Sequence, residues 1–165
     1  MAKDNSFDVV SQVDMQEVDN AYNQASSELR QRYDLKGSGA TLEFSKGDAL
    51  FTLTAPSDFI AGQVKDVLGS KLVRREVDLK AVRWSDPQPA SGGNVRYIGT
   101  IISGIEEDLL KKINKDIKAE KFKAKTQIEG DKLRVFSSSR DVLQEVIAFL
   151  KEKDYDIPLQ YINYR

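Results

Sequence analysis

Asp86-Pro87-Gln88-Pro89-Ala90-Ser91-Gly92-Gly93-Asn94 decides how this chain is read. Two prolines, two glycines and small polar residues cannot sustain a regular ladder, so the stretch is expected to be a loop or linker. It lies near the middle of 165 residues, and each side of it reads as strand, helix, hairpin, helix, strand. The expectation is one structural unit used twice, over residues 1–90 and 91–165.

Working outward to the N-terminal side, Ser6–Val13 alternates. Phe7, Val9, Ser11 and Val13 share one face, and Ser6, Asp8, Val10 and Gln12 share the other, as in a half-buried strand. Asp14 precedes Glu17 at capping-box spacing, and the helix that follows aligns Val18, Ala21, Tyr22, Ala25 and Leu29. After the loop from Arg32 to Gly39, Thr41–Phe44 and Leu50–Thr54 form a hairpin about Lys46-Gly47-Asp48. Pro56-Ser57 opens a second helix with Ile60, Val64, Val67, Leu68 and Leu72 inward, and Val77–Trp84 is expected as a strand.

Beyond the central stretch, Val95–Ile102 is β-branched and reads as a strand. Ser103 with Glu106 repeats the capping-box spacing, before a stripe of Ile105, Leu109, Ile113 and Ile117. Phe122–Ile128 and Lys132–Phe136 form a second hairpin at Glu129-Gly130-Asp131. Ser138 with Asp141 caps a last helix carrying Val142, Val146 and Leu150, and Pro158–Tyr164 closes the chain as a strand. Both hairpin turns contain Gly-Asp-x-Leu. A βαββαβ order twice over is α+β: two ferredoxin-like repeats, each a four-stranded antiparallel sheet with two helices on one face. The opposite face of each sheet is then open to solvent, ligand or partner.

Composition narrows the function. Net charge is −1, with 11 Lys/Arg against 14 Asp/Glu in residues 1–90 and 14 against 12 thereafter, so the chain is not a polycation. Cysteine and histidine are absent, which removes disulfides, thiolate nucleophiles, the commonest neutral-pH base and the commonest zinc ligand. Glu106-Glu107-Asp108 suits a helix N-terminus better than a metal. No catalytic residue, metal or cofactor is expected, and the chain reads as a binder, not an enzyme. No basic start leads into an apolar segment and no run is long enough to span a bilayer, so a cytoplasmic protein without a membrane partner is expected.

Two surfaces are suited to phosphates. The loop Arg32-Tyr33-Asp34-Leu35-Lys36-Gly37-Ser38 offers cations, an aromatic ring and flexible amides, though without P-loop spacing. It reads equally as a helix end with Tyr33 packed down and Gly37 in a left-handed cap. In the second hairpin, alternation turns Phe122, Ala124, Thr126, Ile128, Leu133 and Val135 inward. Lys123, Lys125, Gln127, Lys132, Arg134 and Phe136 then point outward. Cations interleaved with an aromatic suit RNA, and so does a merely solvated face. Arg165 at the chain end adds a further cation.

Four blocks in register resemble the bacterial YajQ family: Ser6–Ala21, Arg32–Ser38, Ala90–Arg96 and Pro158–Arg165. The resemblance implies two ferredoxin-like domains and nucleotide or nucleic-acid binding without catalysis. It points to cyclic di-GMP or another guanine nucleotide, to tRNA or other RNA, and to a transcription-factor partner through which gene expression is affected. Arg32, Tyr33, Lys36, Gly37, Ser38 and Arg96 are the nucleotide candidates. Lys123, Lys125, Gln127, Lys132, Arg134, Phe136 and Arg165 are the nucleic-acid candidates. The resemblance further implies that the first strands, 6–13 and 94–103, are exchanged between repeats. Gly99-Thr100-Ile101-Ile102-Ser103 departs from a stretch that commonly carries lysines, and Leu35 stands where Phe is usual.

Overall fold

The structure, a computed structural model, describes residues 4–32, 34, 35 and 37–165. Its elements run in the order β1 (Asn5–Val10), α1 (Met15–Gln31), β2 (Thr41–Ser45), β3 (Leu50–Ala55), α2 (Asp58–Arg74), β4 (Val82–Trp84), β5 (Gln88–Pro89) and β6 (Val95–Ile101). They continue with α3 (Glu107–Ala119), β7 (Lys125–Glu129), β8 (Lys132–Ser137), α4 (Arg140–Glu152) and β9 (Gln160–Ile162). The chain divides into two compact units. One spans Val13–Ile102; the other joins the described residues up to Gln12 with Ser103–Arg165. Both are α+β, with antiparallel sheets.

In the unit Val13–Ile102 the strand order is β2-β3-β6-β4, and β5 also pairs with β6. The stretch 86–94 lies wholly inside this unit, where it carries β4 back to β6. Gln88 and Pro89 pair with Arg96 and Val95. Alternation sorts the sheet cleanly. Leu42, Phe51, Leu53, Ala55, Tyr97 and Ile101 are buried in one core with Val18, Ala21 and Ala25 of α1 and Val64, Val67, Leu68 and Leu72 of α2. Asp14 caps α1, its carboxylate accepting from the Gln16 and Glu17 amides. Glu17 does not return the bond, because its carboxylate accepts from Asn20 and pairs with Arg75 at 3.5 Å. The expected strand Val77–Trp84 is shortened to β4. Glu76 takes φ +61° and Asp78 caps a 3₁₀ turn at Leu79–Ala81, so local capping prevails over β propensity.

In the other unit the order is β7-β8-β1-β9. Phe7 and Val9 of β1 are buried with Leu133 and Val135 of β8, beneath α3 (Leu110, Ile113, Ile117) and α4 (Leu143, Val146, Ile147, Leu150). β1 departs from the half-buried expectation, for Ser6, Asp8 and Val10 on its other face are buried as well. Ser103 does not cap α3. The amide of Gly104 donates to the Ser11 carbonyl and that of Ile105 to the Asp131 carbonyl, so the chain is tied down until the helix opens at Glu107. Ser139, not Ser138, caps α4 by accepting from the Val142 amide. Ile128 faces the same side as Leu133, yet at the end of an edge strand it stays 37% exposed.

Candidate functional site

The loop after α1 is built locally. Arg32 ends the helix with its N–H donating to the Glu28 carbonyl, and its Nε donates to Asp34 Oδ1 at 2.9 Å. Leu35 is buried, and the carbonyls of Arg32 and Leu35 accept from the amides of Leu35 and Ser38. Ser38 Oγ accepts from the Ala40 amide at 3.2 Å. Gly37 and Gly39 take φ +82° and +87° with open space around both, so glycine is required there by conformation and not by crowding. A hollow of about 550 Å³ lies beside the loop, lined by Tyr22, Leu29, Leu35, Gly37, Ala40 and Thr41 among others. Of the loop's candidates, Arg32 has its charge paired; Tyr33 and Lys36 lie outside the described residues.

The same loop leads into Thr41, and register carries that row across the sheet: Thr41 opposes Thr54, Thr54 opposes Arg96, and Arg96 opposes Gln88. Arg96 is exposed and belongs to the face away from the helices, since Val95 and Tyr97 flank it on the other side. Two strand spacings, about 10 Å, separate the loop exit from Arg96. The described candidates of the loop and Arg96 therefore lie toward one end of one sheet, with Arg96 on the face away from the helices. Farther along, Arg83 of β4 opposes Thr100, which opposes Leu50. Arg83 is also exposed on this face and was missed in the sequence. The alternation Val82-Arg83-Trp84 held the signal, but the long strand expected there diluted it.

The nucleic-acid candidates lie in the other unit. Register puts Lys125 opposite Phe136 and Gln127 opposite Arg134, and β1 continues the rows, with Ser6 opposite Phe136 and Asp8 opposite Arg134. That last pair changes the electrostatics. The Asp8 carboxylate, 1% exposed, accepts from Arg134 Nε at 2.8 Å and from Asn163 Nδ2 at 2.8 Å, with Lys132 Nζ at 3.8 Å. Burial alone would push its pKa up. The bonds from Arg134 and Asn163 and the charges of Arg134 and Lys132 outweigh that and hold it below its ordinary value. Asp8 in turn raises the pKa of Arg134, which also meets Glu129 at 3.3 Å. Arg134 and Lys132 thus serve the sheet itself. Lys123, Lys125 and Gln127 stay exposed, Phe136 is half-buried, and Arg165 exchanges two backbone hydrogen bonds with Ser6 while its side chain is exposed.

A third feature was not foreseen. Lys65 of α2 rests over the Tyr97 ring at 3.6 Å and near Trp84 at 5.1 Å, and the Tyr97 hydroxyl donates to Asp58 at 2.6 Å. Burial lowers the pKa of Lys65, with Asp58 opposing the shift. Beside it a groove of about 570 Å³ is lined by Leu68, Leu72, Val73, Leu79, Val82 and Trp84 among others, with Val73 and Leu79 more than half exposed. Among the described residues no group of three or more Asp or Glu gathers as metal ligands, and no helix is long and apolar enough to cross a membrane.

A family model described as nucleotide-binding protein YajQ-like matches residues 5–165. A protein named "Nucleotide-binding protein" from Desulfitobacterium hafniense is 48% identical over 165 residues, covering all of both chains. Relatives of the same name from Alkaliphilus oremlandii and Bacillus cereus are 45% and 47% identical, again over the whole of both chains.

Proposed function

Because the chain belongs to the YajQ family, we propose that it is a non-catalytic nucleotide-binding protein, an effector that takes up cyclic di-GMP or another guanine nucleotide and influences gene expression through a protein partner. One observation carries the binding reading: exposed Arg96 has no ion pair or side-chain hydrogen bond among the described residues, and stands in the row that begins at the loop exit. An unpaired guanidinium beside hydroxyls and glycine-freed backbone suits a phosphate. The names of the relatives support the nucleotide; cyclic di-GMP and a transcription-factor partner rest on the family resemblance. The exposed Val73 and Leu79 are apolar surface that such a partner could cover.

Calorimetry of the full chain with cyclic di-GMP, GMP and GTP tests this. Heat of binding without conversion of the nucleotide is expected, and Arg96→Ala should weaken binding about tenfold, as loss of one charged hydrogen bond implies. Absence of binding to all three, or turnover of any of them, would overturn it. RNA is the second reading, favoured by Lys123, Lys125 and Gln127 standing exposed around Phe136. Lys125→Glu should then lower RNA affinity and reduce its salt slope by about one, leaving GMP binding unchanged.

A further inference from the structure

The outward face of the sheet in Val13–Ile102 has a composition that its neighbours do not share. From β2 to β4 it presents Thr41, Glu43 and Ser45, then Leu50, Thr52 and Thr54, then Arg96, Ile98 and Thr100, and finally Arg83. It holds two arginines and no aromatic residue. Neither arginine has an ion pair or side-chain hydrogen bond among the described residues, although the unit supplies carboxylates to Lys71 and Arg75 elsewhere. Arg83 opposes Thr100, four residues from Arg96 on β6, so the two stems rise about 14 Å apart on one face. Ile98 lies between them, and the Thr52 and Thr54 hydroxyls border it on β3. The long side chains can lean inward from both ends.

We propose that Arg83 and Arg96 are two arms of one phosphate site on this face, and that they read the phosphate of an organic phosphate and not its base. The inference rests on the nucleotide reading above and adds Arg83 and the division of labour. A guanidinium fork matches a phosphate with two parallel hydrogen bonds, and neighbouring hydroxyls supply further donors. Base stacking needs an aromatic platform, and this face offers only Ile98 and Leu50. Selectivity for the base therefore has to come from outside this face, since the hollow bordered by Tyr22 and Leu35 is lined by α1 and belongs to the helix side of the sheet. Glu43, on the outer strand of the same face, works against an anion and sets an opposite-sign control.

The test is calorimetry of the full chain with GMP, AMP, guanosine and inorganic pyrophosphate as probes. Arg83→Ala and Arg96→Ala should each weaken GMP, AMP and pyrophosphate by the same factor, about tenfold, and leave guanosine unaffected. Arg83→Lys should recover only part of the loss, since an ammonium cannot form the fork. Glu43→Gln should tighten all three phosphates. Both arginines are exposed and have no ion pair among the described residues, so the variants should melt with the parent protein. Binding of GMP that is indifferent to Arg83 overturns the two-arm site while leaving the nucleotide reading intact. Pyrophosphate binding that depends on both arginines, with no nucleotide bound, keeps the site and sinks the nucleotide reading. If no phosphate binds, both fall.

Discussion

Asp8→Asn is the substitution whose consequences the structure determines most closely. The carboxylate is almost fully buried and accepts two hydrogen bonds at 2.8 Å, one of them from Arg134, with Lys132 at 3.8 Å. Removing one partner of a buried ion pair costs about 3–5 kcal/mol, because the other charge is left desolvated. The lower end applies. Asparagine keeps one acceptor for Asn163 or Arg134, and Arg134 retains Glu129. With about 3 kcal/mol lost and a urea dependence of roughly 2–3 kcal/mol/M, the unfolding midpoint followed by far-UV circular dichroism should fall by about 1 M or more. Arg134→Met in the Asp8→Asn background should cost much less than the sum of the two single changes, since neither charge is then stranded. The pH dependence has a defined sign. The folded pKa of Asp8 is depressed, so its contribution is complete above the unfolded value of about 3.9 and disappears as pH falls through the folded value. The acid limb of stability below about pH 4 should therefore be shallower in Asp8→Asn than in the parent. A midpoint shift worth less than about 1 kcal/mol would refute the reasoning, because the pair would then be behaving as an exposed one.

Two further outcomes follow from packing and topology. A Cβ on Gly99 would come within 2.8 Å of the Trp84 ring, itself stacked on Phe51, so Gly99→Ala should destabilise by about 1–3 kcal/mol; Trp84 is the only tryptophan, and its fluorescence reports the change directly. A fragment of residues 1–90 lacks β6, which lies between β3 and β4 in the hydrogen-bond order, so it should show no cooperative thermal transition, whereas residues 13–102 should show one; a cooperative 1–90 fragment would contradict this.

Element order was legible because it rests on local signals that the fold does not override. Alternation in Leu50–Ala55 and Lys132–Ser137 gives the burial pattern of both strands, and the helical stripes of α1 and α2 point where their spacing says. The shared Gly-Asp-x-Leu turns are less alike than they read. Gly130 takes the left-handed position in the second turn at φ +61°, but in the first that position falls to Ala49 at φ +54° and not to Gly47. Where a short polar side chain competed with the ladder, propensity misled: Asp78 turned half of the expected strand before Trp84 into a 3₁₀ turn. Ser103 failed as a cap for another reason. The amides beyond it are bonded to Ser11 and Asp131, which no local window contains.

The candidate sites show what alternation can and cannot say. It assigns a side chain to a face, and it assigned Lys125 and Arg134 correctly; it says nothing of what stands opposite. Arg134 lies 126 residues from Asp8 in the chain and directly across from it in the sheet, so a cation that reads as available is spent on a buried carboxylate. In the other unit the cross-strand neighbour of Arg96 is Thr54 and that of Arg83 is Thr100, and a hydroxyl leaves a guanidinium its charge. Whether a cation on a sheet face can bind a phosphate is thus decided by the pair and not by the residue. Pairs follow from strand order, and here β1 stands between β8 and β9 while β6 stands between β3 and β4. That order, more than the number of lysines on either hairpin, is why Arg83 and Arg96 of the unit Val13–Ile102 stand without an acidic partner among the described residues.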